Sequence, residues 1–297
     1  MSERTGGARL RSLLAEPGCT IVAPIFDPIS ARFAEAAGWA AGKLSGSVAK
    51  AVNLGVPDGI SLANSSDLVD LCRRIERMSE LPFLVDADSA GGNALEIRRM
   101  VRELESAGVA GVEIEDNDVP RTLLPDADRH SLMIPIDRQL TNLAAALAAR
   151  RDDSLLVVAR TAAFDEMDLD EALRRVAAYA ETGVDAIMLP RFPRLGRRAI
   201  EEIHAVAGVP IFALRLPIDV VRDRAFMTAN AIKLAYLPQV VFRKVLLTIS
   251  QAYSHLAYDE ASLDEVAEVF SASDDAMELL TETAALSEWD RRFPSAD

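Results

Sequence analysis

Asp86 and Asp88 stand one residue apart at the end of the apolar run 82–85, and in an extended chain that spacing aims both carboxylates to the same side. Glu115-Asp116 close a second apolar run, Arg160-Thr161 a third, and Ser45-Gly46-Ser47 a fourth. Carboxylates converging from neighbouring strands, those of Asp86, Asp88 and Glu115, repel one another in a low-dielectric pocket unless a cation neutralises them. Hard oxygen ligands of this kind suit Mg2+ or Mn2+. An arginine facing the cluster, Arg160, can grip a carboxylate through two parallel hydrogen bonds, or can serve as a plain ion-pair partner of Glu115 or Asp116. The Ser45-Gly46-Ser47 segment either forms a tight turn only or offers N–H and hydroxyl donors to a second carboxylate or a carbonyl oxygen. A small organic anion is the ligand this combination fits.

The elements that must position these groups follow from periodicity. Short aliphatic runs at 20–26, 40–46, 82–88, 111–116, 155–161, 186–190, 210–216 and 231–237 read as strands, and most are separated by helical patterns such as 65–80, 93–108 and 168–183. In 93–108, Leu95, Ile97, Met100, Val101 and Leu104 are expected to share the apolar face, with Gly108 ending the helix. Eight such βα units predict a (β/α)8 TIM-type barrel, whose reactive residues lie where strands end and βα loops begin. No GxGxxG follows the first strand and no phosphate-binding P-loop occurs, which removes the usual support for an open nucleotide-binding sheet.

Composition narrows the remaining classes. The 297 residues carry 32 Lys+Arg against 46 Asp+Glu, a net charge of −14, so nucleic acid and anionic lipid are not expected partners. Each apolar run is broken well short of a membrane span, and the two cysteines, Cys19 and Cys72, do not make a disulfide framework. A soluble, cytoplasmic protein is the expectation. The three histidines, His130, His204 and His255, are scattered away from the strand ends, and only His130, in the segment 117–135, lies where it can close over the site.

Beyond these features, DADSAGGN (86–93) is similar to the DxDxGYGN stretch of the isocitrate lyase/phosphoenolpyruvate mutase superfamily, IEDN (114–117) to its IED motif and VVART (157–161) to its ART motif, in the same order and spacing. Residues 26–58 resemble its N-terminal segment, and the resemblance spans 8–255. It implies that Asp86 ligates Mg2+ directly, that Asp88 and Glu115 hold the ion's waters, and that Asp58 lies nearby. It implies further that Ser45, Gly46 and Ser47 cradle the keto-carboxylate end of the substrate with Asn93 beside them, and that Arg160 grips a substrate carboxylate. Asp58 then becomes the candidate for proton transfer, with Glu115 and Arg160 nearest the chemistry. Read as residues alone, Asp58 is equally a turn residue after Pro57, and Asn93 equally an N-cap.

The segment 117–135 lacks the KKCGH-like loop of the superfamily's lyases, and Leu123-Leu124 stand where its mutases place an asparagine, so the oxaloacetate decarboxylase-type branch is the most similar. Gly92 replaces that branch's usual Tyr, Ala162 its common Asn, and Tyr236-Leu237-Pro238 stand where a His ends strand eight. The implied activity is Mg2+-dependent carbon–carbon cleavage of a small 2-keto or 2-hydroxy di- or tricarboxylate through a metal-stabilised enolate, with oxaloacetate decarboxylation to pyruvate and CO2 as the specific expectation. The alternatives are phosphonopyruvate/phosphoenolpyruvate mutase-type chemistry, cleavage of a substituted malate or citrate, and a catalytically diminished carboxylate-binding member. Residues 1–258 are expected to form the barrel and 259–297 a helical extension. The apolar stripes of 240–253 and 276–289 exceed what one barrel covers. Superfamily members exchange their eighth helix between subunits, which implies a homo-oligomer here, a dimer or tetramer.

Overall fold

The computed structural model describes residues 5–58, 62–118, 133–191, 196–256 and 262–293. Strands β1 (Thr20–Ile25), β2 (Gly42–Leu44), β3 (Phe83–Asp86), β4 (Gly111–Glu115), β5 (Leu156–Arg160), β6 (Ala186–Leu189), β7 (Ile211–Leu214) and β8 (Ile232–Tyr236) are the eight expected runs, each trimmed at one or both ends. All pair in parallel and in chain order, and β8 returns to β1 with Thr20 opposite Leu234, so the barrel is closed. Helix α1 (Gly6–Ala15) precedes β1. The crossovers are filled by α2 (Pro28–Ala36), α3 (Gly46–Leu54), α4 (Ser65–Met78), α5 (Ala94–Ser106), α6 (Ile136–Ala149), α7 (Ala163–Glu166), α8 (Leu169–Glu181), α9 (Arg197–Ala207), α10 (Ile218–Arg222) and α11 (Arg224–Ala229).

Local chemistry explains the helix boundaries near the site. Asn64 caps α4 by accepting from the Ser66 and Asp67 N–H groups, while Asp67 accepts from the Asn64 N–H in return. Gly108, at φ +82°, ends α5, and a Cβ there would meet Glu76 at 2.7 Å. Along α5, Ile97, Met100, Val101 and Leu104 are buried as expected, but Leu95 is 79% exposed. It lies two positions before Ile97, about 200° around the helix, and so faces away from the apolar stripe.

Strand alternation builds two layers. Phe83, Val85, Val112, Ile114, Val157 and Ala159 pack outward against the helices, while Leu84, Leu156, Val158, Met188, Phe212 and Leu234 form the lumen cluster together with Leu10 of α1. Further toward the strand C-termini, the inward positions carry Lys43, Asp86, Glu113, Glu115 and Arg160 instead.

The chain divides into two compact units, 1–240 and 241–297. The second holds nearly all of α12 (Val240–Leu256), with α13 (Ser262–Thr281) and α14 (Thr283–Arg292). Among the described residues, no helix is long and apolar enough to cross a membrane.

Candidate active site

Strands β3, β4 and β5 end side by side and deliver Asp86, Glu115 and Arg160 to one point at the C-terminal mouth of the barrel. Asp88 arrives there differently from the strand alternation expected for it. β3 ends at Asp86, and Asp88 sits in the left-handed region at φ +50°, a conformation that a short polar side chain tolerates better than most. Its carbonyl still accepts from the Glu115 N–H at 2.8 Å, which keeps the turn beside β4. Asp86, Asp88 and Glu115 each offer an oxygen, and these lie within 4.8 Å of one another.

Arg160 is engaged by this cluster. Its guanidinium lies 2.5 Å from Asp86 Oδ2 and 2.7 Å from Glu115 Oε1. Asp116, the other ion-pair partner considered from sequence, points the opposite way, into the helix layer. It accepts from Thr161 Oγ1 at 2.6 Å and from the Tyr179 hydroxyl at 2.9 Å, with Arg175 at 3.6 Å.

The Ser45-Gly46-Ser47 segment is the first turn of α3 rather than an isolated turn. The Gly46 N–H donates to Asp86 Oδ2 at 3.2 Å, and a Cβ on Gly46 would come within 3.0 Å of Asp88 Oδ1, so a side chain there would crowd the cluster. The Ser45 and Ser47 hydroxyls are 3.0 Å apart, and Gln239 Nε2, just past β8, donates to both, at 3.2 and 2.6 Å. One turn along α3, the Lys50 ammonium bridges Asp88 Oδ2 at 2.7 Å and Asp58 Oδ1 at 3.0 Å. Asp58 is exposed and joins the group through this lysine. Asn93 Oδ1 caps α5, accepting from the Leu95 and Glu96 N–H groups at 3.1 Å, which is the N-cap role. Residues 119–132, with Leu123, Leu124 and His130, lie outside the described residues.

Several groups went unread in the sequence. Glu113 faces the lumen beneath Arg160. Its Oε2 is 2.6 Å from Lys43 Nζ and 3.8 Å from Arg160, and its Oε1 accepts from the Tyr236 hydroxyl at 2.8 Å. Asn117 donates to Glu115 Oε2 at 2.6 Å. The period-two pattern of GVEIE that singled out Glu115 also puts Glu113 on its face, and Lys43 precedes Ser45 by the same interval. For Lys50 the available signal was its i+4 spacing from Gly46.

Electrostatically, burial pushes the Glu115 carboxyl up to about 8, against the pull of Arg160. Burial and the neighbouring Asp86 charge likewise raise Asp88, opposed by Lys50. Burial acts on Asp86 too, but Arg160, Lys43 and the Gly46 and Asp88 N–H groups override it and hold Asp86 below the usual carboxylate range. Two carboxyls raised beside one held down mark a surplus of negative charge. With the Lys43–Glu113 pair beneath them, the five acids Asp58, Asp86, Asp88, Glu113 and Glu115 stand against three bases, Lys43, Lys50 and Arg160, an excess of two acidic groups that a divalent cation would balance once all are ionised. The all-oxygen donor set fits Mg2+ or Mn2+. A cavity of about 390 Å³ adjoins the cluster, with Gly46, Lys50, Asp86, Asp88, Asn117 and Arg138 in its wall, roomy enough for a small dicarboxylate.

The profile of the phosphoenolpyruvate phosphomutase family matches residues 10–256. An oxaloacetate decarboxylase of Rhodopseudomonas palustris (strain BisB18) is 39% identical over 236 residues, 79% of each chain. An oxaloacetate decarboxylase of Paraburkholderia xenovorans (strain LB400) is 33% identical over 285 residues, 96% of this chain and 92% of that one. Among solved structures, the phosphonopyruvate hydrolase complex with oxalate and Mg2+ shares the fold, with a TM-score of 0.80 at 22% identity over 98% of this chain and 100% of that one. With Asp86 and Asp88 of the DxD stretch, Glu115 of IED and Arg160 of ART gathered at one barrel mouth, the chain belongs to the phosphoenolpyruvate phosphomutase family, within the isocitrate lyase/phosphoenolpyruvate mutase superfamily.

Proposed function

We propose that this enzyme, a carbon–carbon lyase acting on oxaloacetate-like substrates, is Mg2+-dependent and decarboxylates oxaloacetate to pyruvate and CO2. The observation that carries this reading is the convergence of Asp86, Asp88 and Glu115 with Arg160 at the barrel mouth. Asp86, Asp88 and Glu115 would hold the divalent ion, which supplies a positive charge to the keto oxygen as the C–C bond breaks. Arg160, which lies against Asp86 and Glu115, would offer its guanidinium to a substrate carboxylate in a bidentate pair. The first turn of α3 aims its N–H groups and the Ser45 and Ser47 hydroxyls at the other end of a keto acid, and Gln239 fixes those hydroxyls. Loss of CO2 leaves the bonding pair on the adjacent carbon, which must then take up a proton. Asp58, tied to the cluster through Lys50, is the candidate for this proton transfer. Pyruvate release from oxaloacetate with Mg2+, compared with Asp86→Ala, tests the reading. Pyruvate no faster than the metal-only background, and unaffected by the substitution, rejects it. Calorimetric binding of a keto acid without turnover of any substrate in a panel would instead assign a carboxylate-binding member.

We infer also a cytoplasmic homo-oligomer, a dimer or tetramer, in which α12 is exchanged between barrels and the residues after 258 form the extension. It is supported by the exposed Val241, Leu246, Leu247 and Ile249 of α12 and Leu286, Trp289 and Phe293 in and just after α14. Light scattering giving a mass near 32 kDa would overturn it.

A further inference from the structure

Lys50 has no role in the chemistry described so far, yet it is buried at its centre. Its side chain is 9% exposed, and it enters from α3. The two cations divide the four carboxylates between them. Arg160 holds Asp86 and Glu115, and Lys50 holds Asp88 and Asp58. Desolvating an ammonium is costly unless acids answer it closely, so Asp88 and Asp58 are what keep Lys50 buried. One of these partners, Asp88, belongs to the triad that would hold the divalent ion. Any cation bound by the triad shares a carboxylate with Lys50 and meets a fixed like charge within a few ångströms. Lys50 is anchored to Asp58 as well as to Asp88, which holds its charge in place beside the triad.

We propose that Lys50 is a built-in counter-charge of the metal centre: it draws Asp88 and Asp58 together when no ion is bound and lowers the affinity of the triad for a divalent cation. The inference rests on the proposed Mg2+ site. Lys50 is thus a positioning residue, one that sets how readily the ion comes and goes.

The test is Mn2+ binding to the full-length protein, followed by calorimetry and by the electron paramagnetic resonance of free Mn2+. Lys50→Met, which keeps the apolar stem and removes the charge, is expected to bind Mn2+ about tenfold or more tightly than the wild type, and Lys50→Arg, which keeps the charge, within about threefold of it. Lys50→Gln replaces the Met variant should that one fail to fold, as judged by circular dichroism and a single thermal transition. A merely structural ion pair would lower the melting temperature in the neutral variants without tightening Mn2+. If the wild type binds Mn2+ and neither neutral variant binds it more tightly, Lys50 is not the counter-charge, although the metal site stands. If no form of the protein binds the ion, the metal reading and this inference fall together. Tight binding confined to the neutral variants supports the inference in its strongest form.

Discussion

The two ends of one barrel lumen are built by the same strand alternation and hold opposite contents. Where the strands begin, inward positions carry Leu84, Leu156 and Ala186, closed off by Leu10 of α1. Where they end, the inward positions of β2 to β5 carry Lys43, Asp86, Glu113, Glu115 and Arg160, and β8 adds Tyr236. The first region gains stability from apolar area removed from water. The second buries charges whose mutual attraction does little more than offset their desolvation. Backbone geometry therefore decides which residues face inward, and side-chain chemistry decides whether that position serves stability or reactivity.

The sharpest separation of the two ends comes from deleting one anchor in each. Arg160→Met leaves Asp86 and Glu115 buried without their cation and should cost about 3–5 kcal/mol of unfolding free energy in the metal-free protein. Saturating Mg2+ should restore much of this loss. Leu156→Ala, a cavity in the apolar end, should cost about 2–5 kcal/mol and gain nothing extra from Mg2+. Urea unfolding of both variants with and without the ion measures the contrast, and equal responses would dissolve it.

Asp86→Asn probes the charged end alone. It removes the charge that Arg160, Lys43 and two backbone N–H groups stabilise, at nearly constant volume, so unfolding free energy should fall by about 1–3 kcal/mol, with Glu115 left to answer Arg160, while pyruvate formation falls by about a hundredfold or more. Substantial unfolding would show that Asp86 serves the fold rather than the site. Tyr179→Phe asks whether neighbouring acids are as separate as they look. It removes the hydroxyl that donates to Asp116 and should cost about 1–2 kcal/mol of stability, with Mg2+ affinity unchanged by calorimetry, because Asp116 faces α8 and not the mouth.

How far the sequence could be read follows the same division. All eight strands were legible because aliphatic runs and helical stripes carry distinct periods, and Asp86, Glu115 and Arg160 were legible because they end those runs. Asp88 was found for an incomplete reason: its carboxylate reaches the cluster through a left-handed turn, which alternation does not encode. Glu113 and Lys43 were within reach of the period-two rule, but an acid and a lysine inside a strand cancel each other and leave no surplus charge to notice. Lys50 and Gln239 depend on how α3 and the end of β8 meet β3 across the barrel mouth, a tertiary relation with no local signature. Asn93 shows the converse, since a polar residue inside a motif also satisfied the helix that starts beside it.

The smallest effect concerns a single proton. Burial lifts the Glu115 carboxyl from an ordinary 4.5 to about 8, and burial with the Asp86 charge moves Asp88 the same way. The folded, metal-free chain thus keeps a proton on Glu115 that the unfolded chain gives up at neutral pH. This contribution to stability is complete below about pH 4.5 and is lost as pH rises through about 8. Asp86, held below the usual range, stays ionised in both states across that window and adds no slope there. A divalent cation favours the carboxylate form, so Mg2+ binding near neutral pH should expel close to one proton from Glu115, and the stability of the loaded protein should no longer fall through the window. The apolar end has no titrating group to contribute. Calorimetric titration with Mg2+ in buffers of different ionisation enthalpy reads the proton directly: apparent binding heats that scale with buffer enthalpy are expected, and heats independent of the buffer would show that Glu115 is already ionised before the metal arrives.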